Sequence, residues 1–538
     1  MKKRPVSLIA SDFFSYLGRH LPQQCASDEF YFLPRSETAV RHLSSLDDLN
    51  AEKIQDHIRY VKDLLGEISP EKQEDPEEEI DRLLLKQSME SFIREFDDAR
   101  VWQSDPTLYV KIPLFATDQV ISQRDMVSDR IKENLLTIFK QIPNFLNLAI
   151  KNLCSSSEIS IQIAVNMARD AFNFHRDDIR AFFVEKMGED KELIAKNEEV
   201  LEAWKRYEMD LRGLPAGRSF ATGEEGLNKI FAVSLSYPGS TKEILEIAQD
   251  DYRKTGEKLH ALARKIDSSK TWKDIIYEKL PYVSSHSEVM EIYEKEVRDL
   301  RSFFYSQDII NFPPGEEITV LHTPPWLQSL RATASYRAPL TGNAQDHGIF
   351  YITPGEEDLG LISANSPYLT AHETYPGHHI LDHIRIHHSN PIRRQIESPL
   401  FYEGWACYAE KLLDDLGYVR NPNLQLIGLK RQLWRNLRTI LDVELQTGKI
   451  TLDEGAKKIE KLGFSARRAG RQIRRFAITP GYQSCYSMGM HEIVRLSEKY
   501  SSRLGLKTFH NTLLGGGEIP FHLVEKRLKT CLSYICHS

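Results

Sequence analysis

The chain contains no long hydrophobic run. No stretch approaches the ~18 apolar residues of a membrane span, which argues against a helical integral membrane protein. Behind the basic start Met1-Lys2-Lys3-Arg4, the apolar stretch from Val6 to Ala10 is interrupted by Ser7 and stopped by Ser11 and Asp12. That is too short for the apolar core of roughly 7–15 residues in a secretion signal. Cysteine is scarce: Cys25, Cys154, Cys407, Cys485, Cys531 and Cys536 are scattered and lack metal-knuckle spacing. They read as reduced thiols of a cytoplasmic protein, with Cys531 and Cys536 the only close pair and a tail disulfide the minor alternative. Neither charge dominates. Lys and Arg number 70 against 77 Asp and Glu, a net charge of −7, which argues against a general partner of nucleic acid or of an anionic membrane. No internal repeat or low-complexity tract is present. What remains, 41% hydrophobic and 27% charged residues in a chain of 538, suits a soluble globular protein with a sizeable core.

Helical periodicity dominates. Ile54, Ile58, Val61, Leu64 and Leu65 form one apolar stripe, and Leu83, Leu84, Leu85, Met89 and Phe92 another. The acidic run Glu71–Glu79 between them follows Pro70, contains Pro76 and reads as a solvated loop. Leu135, Ile138, Phe139, Ile142, Phe145 and Leu146 continue the pattern. Residues 211–226, with Gly213, Pro215, Gly217, Gly223 and Gly226, read as a connection. This divides the chain into an N-terminal helical region, 1–220, and a catalytic region with the metal site, 221–538, expected to form one continuous globular unit. Residues 240–305 predict two or more long helices. After Phe312-Pro313-Pro314-Gly315 the texture turns β-like. Ile318–Leu321, Ala332–Tyr336 and Ile349–Ile352 are three candidate strands, and an edge strand there could hold an extended substrate by main-chain pairing. Helical pattern resumes near Leu369. The predicted fold is mainly α, with a small sheet just before the most informative segment.

That segment is His372-Glu373-Thr374-Tyr375-Pro376-Gly377-His378-His379. In the zinc-peptidase motif H-E-x-x-H, two His at i and i+4 share a helix face and bind the metal, and the Glu serves as general base. Here i+4 is Pro376. In an unbroken helix, i and i+6 face different ways and lie about 9 Å apart along the axis, so His378 reaches the metal of His372 only if the helix is distorted. Pro376-Gly377 supplies a reason for a local bulge. His379, at i+7, returns to the same face about two turns away, and spacing alone does not choose between them. A third ligand should come from a later helix. Glu403, in Glu403-Gly404-Trp405-Ala406-Cys407-Tyr408-Ala409-Glu410, is set among apolar residues where a carboxylate needs a positive partner; a structural ion pair is the other reading. Glu410, two turns on, fits a residue that orients a metal-bound His. With His379, His383, His387 and His388 nearby, the bland alternative is simply a His-rich segment.

These blocks together resemble the DUF885 family of bacterial proteins, grouped with the gluzincin metallopeptidases. His372 to His378 is similar to its H-E-x-x-P-G-H signature, Glu403 to Glu410 to its E-G-W-A-x-Y-x-E block, and Arg475-Phe476-Ala477-Ile478-Thr479-Pro480-Gly481 with Tyr486 and Gly489 to its R-Y-x-x-x-P-G-Q-x-x-x-Y-x-x-G block. The segments around Tyr336 and Tyr351 resemble those leading into the active site. The resemblance is firm from about residue 310 to 495. It implies a large helical fold with a small sheet at a cleft. It also implies zinc held by His372, His378 and Glu403, with His379 and Glu410 behind them, and it places Tyr336 and Tyr351 at the substrate. Two positions depart from the family pattern: Tyr482 replaces a Gln, and Gln446 stands where many relatives place His.

The chemistry assigns further roles. Glu373 would accept a proton from water. Tyr486 would donate to an oxyanion or be a packed aromatic. Arg475 would pair with a substrate carboxylate or form a structural salt bridge. Arg467, Arg468, Arg471 and Arg474 read as a solvated basic face. No His-paired nucleophile pattern surrounds Cys407 or Cys485, so cysteine chemistry is disfavoured. The leading expectation is a zinc-dependent peptidase. A metal-dependent amidase and a binding protein with a degenerate site are the alternatives.

Overall fold

The computed structural model describes residues 4–27, 29–122, 128–188, 190–325, 328, 334–339, 347–353 and 358–537. Most of them are helical, and helices start where the sequence supplies caps. In the N-terminal part the main helices are α1 (Val6–His20), α2 (Ala51–Glu67), α3 (Pro76–Ile93), α4 (Leu108–Ile121), α5 (Ser128–Asn152), α6 (Glu158–Asn173) and α7 (Lys191–Arg212). The Asn50 side chain accepts from the Glu52 N–H and Asp75 from the Glu77 N–H, satisfying donors that a first helical turn leaves open. Ile54, Ile58, Val61 and Leu64 are buried, as are Leu84, Leu85, Met89 and Phe92; Leu65 and Leu83 are half-buried at the stripe margins.

The acidic run is only partly a loop. Pro76 is the first residue of α3, so Glu77, Glu78 and Glu79 form its first turn. Pro suits that position because its missing N–H is not needed there, and acidic residues suit the positive end of the helix dipole. Glu79 is buried and accepts two hydrogen bonds from Arg82, at 2.8 and 2.9 Å.

The chain divides into two compact units, Met1–Phe220 with Pro324–Leu330, and Ala221–Thr323 with Arg331–Ser538. The second holds α8 (Thr241–Ile266), α9 (His286–Gln307), β1 (Ile318–His322), β2 (Ala334–Arg337), β3 (Gly348–Ile352), α10 (Ser366–Glu373), α11 (His378–Ile386), α12 (Pro399–Asp415), α13 (Pro422–Gln446), α14 (Ala466–Ala477) and α15 (Cys485–Leu504). The strands lie in the order β1-β3-β2, with β1 parallel and β2 antiparallel to β3. Central β3 is buried at every residue. All three expected strands are present; Ala332 and Thr333 lie outside the described residues. The fold is mainly α with a small sheet, as the sequence indicates.

Two helix pairs frame the second unit: α8 packs along α13, and α12 along α15. The α12–α15 crossing is close because of two glycines. A Cβ on Gly404 would lie 2.5 Å from Gly489 backbone atoms, and one on Gly489 would lie 2.0 Å from the Leu400 carbonyl oxygen. Contact this close requires hydrogen at both positions, and it fixes the turn of α12 that carries Glu403. Cys25, Cys154, Cys407, Cys485 and Cys531 are free thiols; the Cys536 side chain lies outside the described residues. No described helix is long and apolar enough to cross a membrane.

Candidate metal centre

His372 and Glu373 are the last two residues of α10, and His378 is the first of α11. Instead of the expected bulge, the helix breaks. Thr374 still donates to the Thr370 carbonyl at 2.8 Å, and the Gly377 N–H reaches back to Ala371 at 2.9 Å. A Cβ on Gly377 would lie 1.9 Å from the His372 carbonyl oxygen, so only glycine allows the chain to fold back this tightly. The Trp405 indole N–H of α12 donates to the Pro376 carbonyl at 2.8 Å and anchors the break.

This reversal brings His378 beside His372, with ring centroids 4.7 Å apart. Glu403 Oε2 lies 3.4 Å from His372 Nε2 and 3.7 Å from His378 Nε2. All three residues are buried, and one ligand atom from each falls within 4.8 Å of the others. Neither contact satisfies the carboxylate: Glu403 Oε2 is buried without a hydrogen-bond partner. Ligands at zinc's ~2.0–2.2 Å and tetrahedral angles stand about 3.4 Å apart, so the spacing and the orphaned acceptor both fit a shared cation.

Surrounding groups hold the cluster. Glu410 Oε1 is 3.0 Å from His372 Nδ1. Arg431 donates to Glu410 twice, at 2.9 and 2.8 Å, and Arg435 also pairs with it in bidentate fashion. Burial pushes the Glu410 carboxyl up, but Arg431 and Arg435 outweigh it and hold its pKa well below the carboxylate range. Burial likewise opposes ionisation of Glu403, and His372 and His378 reverse it. The Tyr482 hydroxyl donates to Glu403 Oε1 at 2.6 Å. Glu373 Oε2 accepts the Tyr336 N–H of β2 at 2.9 Å, and burial raises the Glu373 pKa, partly offset by His372 and His378.

Other expected residues find distinct places. The Tyr486 ring lies parallel to that of His372, with centroids 6.4 Å apart, and Arg438 stacks on it at 3.6 Å. Burial, then the Glu403 charge, keep the Tyr486 hydroxyl protonated. Arg475 is half-buried on α14, and its charge acts on Tyr486. The Tyr336 ring is buried against His379, and Tyr351 is buried in β3. His379 belongs to a different cluster: its Nε2 is 3.3 Å from Glu316 Oε2, and Glu316 also accepts from Tyr375, Tyr305 and Arg301. Arg467, Arg471 and Arg474 are exposed, but Arg468 is half-buried with its guanidinium 4.9 Å from the Phe464 ring. Cys485 is buried, and burial pushes its thiol well up, so it is a poor nucleophile.

Sequence reasoning missed Glu316, Arg431 and Arg435. The Arg pair left a weak signal: four apart, Arg431 and Arg435 share a face of α13, where like charges need an acidic partner. Glu316 left none. Gln446 is explained by its bonds: its Oε1 accepts the Thr222 N–H, and its Nε2 donates to the Phe476 and Ala477 carbonyls.

A family model described as bacterial protein of unknown function (DUF885) matches residues 34–528. The chain belongs to this family. Two solved structures share its fold. One, from Colwellia psychrerythraea and described as a "putative lipoprotein", matches with a TM-score of 0.83 at 16% identity over 99% of this chain and 100% of that one. Another, from Shewanella oneidensis and described as a "putative lipoprotein of unknown function", gives 0.77 at 18% over 97% and 99%. An M32 carboxypeptidase from Deinococcus radiodurans R1 gives a TM-score of 0.40 at 12% identity over 98% of this chain and 97% of that one, too little likeness to carry an argument. No curated protein matches this DUF885 chain.

Proposed function

We propose that this DUF885 chain is a zinc-dependent peptidase in which His372, His378 and Glu403 hold the metal. The observation that carries the reading is the buried convergence of those ligand atoms around an orphaned Glu403 oxygen, with Glu373 next in sequence. When bound, zinc supplies Lewis-acid polarisation and makes water more acidic; two imidazoles and a carboxylate suit it.

The protein's own groups do the rest. Glu373 is held by the Tyr336 N–H through Oε2, which assigns Oε1 to accept a proton from water and pass it to the leaving amine. Its raised pKa makes it a stronger base than an exposed Glu. Tyr486, which keeps its proton, donates to the carbonyl oxygen as that oxygen gains charge. Arg475 answers a substrate carboxylate. An extended peptide would lie along β2, an edge strand of the sheet. The Tyr336 N–H on the outer side of β2 is taken by Glu373, so a peptide paired with the remaining main-chain groups of this edge would run beside that carboxylate.

Glu373→Gln tests the reading. Hydrolysis of a peptide library should fall by about 10²–10⁴-fold, the contribution of a general base, while metal content stays unchanged. Full activity in Glu373→Gln would sink the assignment. The free thiols support a cytoplasmic location, and the name carried by the two similar solved structures makes cell fractionation the check. Recovery in the membrane fraction would overturn it.

A further inference from the structure

The N-terminal unit contains a second convergence of metal-ligating groups. His20 ends α1, Asp48 precedes α2 and His57 lies in the middle of α2. One ligand atom of each falls within 4.8 Å of the other two. His57 is buried, while His20 and Asp48 are half-buried. Among the described residues, no hydrogen bond or ion pair engages the His20 ring or the Asp48 carboxylate.

The backbone and the aromatic rings hold this arrangement. The Asp48 N–H donates to the His20 carbonyl at 2.8 Å. Tyr16, stacked on Tyr60 at 3.9 Å, packs against both imidazoles. His57 Nδ1 is 2.8 Å from the Tyr16 hydroxyl and Nε2 is 3.2 Å from the Asp48 carbonyl oxygen; with the proton on Nδ1, held by the Tyr16 oxygen, Nε2 keeps its lone pair. A ring N–H held by a neighbouring oxygen, leaving the other nitrogen a lone pair, is the usual support of a metal-bound His. The last turn of α1 also favours a cation, because the helix dipole is negative there.

We propose that His20, Asp48 and His57 form a second site for a divalent transition ion such as zinc. It takes the same donor set of two imidazoles and a carboxylate and acts as a structural clip. The ion would join α1 to α2 and close off the segment Leu21–Asp47, whose described helical element is the short turn Ala39–His42. Tying the ends of such a long irregular segment limits the freedom of the unfolded chain.

The test is zinc content after equilibrium dialysis of full-length wild type, His20→Ala, Asp48→Asn and His378→Ala, with thermal melts to confirm folding. His57 is left intact because it is buried and packed against Tyr16, so its removal could unfold the unit. About two zinc ions per chain should fall to about one in each variant. One zinc in wild type, lost in His378→Ala and kept in His20→Ala, would overturn the clip, as would no zinc at all. One zinc lost in His20→Ala and Asp48→Asn but kept in His378→Ala would support the clip while sinking the peptidase reading, so the two ideas fail separately.

Discussion

His378 and His379 are consecutive, both buried and both in the first turn of α11, yet they enter opposite kinds of polar cluster. His379 joins a closed one. Glu316 there accepts from Arg301, Tyr305 and Tyr375 as well as meeting His379, and its charge is paired within the protein. His378 joins an open one, in which Glu403 Oε2 and His378 Nδ1 are buried without hydrogen-bond partners. Buried polar groups are normally satisfied, so the open cluster calls for something from outside the chain and the closed one does not. Residue type does not separate the two, since each holds histidine and glutamate. Satisfaction does.

The sharpest way to break this comparison is to remove each ring in turn. His378→Ala should lose bound metal altogether, whereas His379→Ala should keep it and lose about 1–3 kcal/mol of stability, the cost of withdrawing one partner from a buried group. Metal measured by dialysis and stability by denaturant melts give both values. Equal metal loss in the two variants would erase the distinction. Next in size is Gly377→Ala. Its methyl would sit 1.9 Å from the His372 carbonyl oxygen, so the break between α10 and α11 must open. We expect loss of metal and about 3 kcal/mol or more of stability, at the upper end for forced overpacking. An alanine variant with wild-type metal content would show that the reversal does not depend on glycine.

The difference between the two histidines was beyond helical arithmetic. Counting residues assumes an unbroken helix, and the segment Thr374–Gly377 resets the phase. Pro376 and Gly377 signalled a distortion but not its size. Glu403 and Glu410 were legible because carboxylates among apolar residues on one helix demand partners. Their partners were not equally legible: Arg431 and Arg435 show a helical spacing, whereas Glu316 meets His379 across 63 positions of sequence, and no local pattern carries that distance. The strands were readable from β-branched and aromatic residues between turn signals. The acidic run is only partly the loop expected, because Pro76, read as part of that loop, is the first residue of a helix. Tyr482 and Gln446 depart from the family pattern. In the structure each is bonded, Tyr482 to Glu403 and Gln446 to three backbone groups.

The closed cluster should reveal itself by pH. Burial alone would raise the Glu316 carboxyl, but His379, Tyr375 and Tyr305 bring it down to about 2. Because this folded value lies below the unfolded one near 4.3, the unfolded chain binds the proton first on acidification. The contribution is full above the unfolded value and is lost as pH falls from about 4 through about 2. It amounts to at most about 3 kcal/mol, two units at 1.36 kcal/mol each. Glu316→Gln should flatten the stability profile in that window while leaving metal content unchanged. A profile as steep as that of the wild type would place the acid sensitivity elsewhere.

The smallest effect sharpens the open cluster. The Tyr482 hydroxyl gives Glu403 Oε1 its hydrogen bond at 2.6 Å, leaving Oε2 to face the two imidazoles. A group that orients a ligand typically changes metal affinity by about 10–100-fold when removed. Tyr482→Phe keeps the ring and deletes only the donor, so its apparent zinc affinity, read by competition with a chelator, should weaken within that range while the melt stays close to wild type. An unchanged affinity would mean that Glu403 is positioned by α12 alone, through the Gly404–Gly489 crossing. An affinity lost beyond that range would make Tyr482 part of the centre itself. Either result would redraw the boundary between the groups that hold the ion and the groups that hold those residues in place.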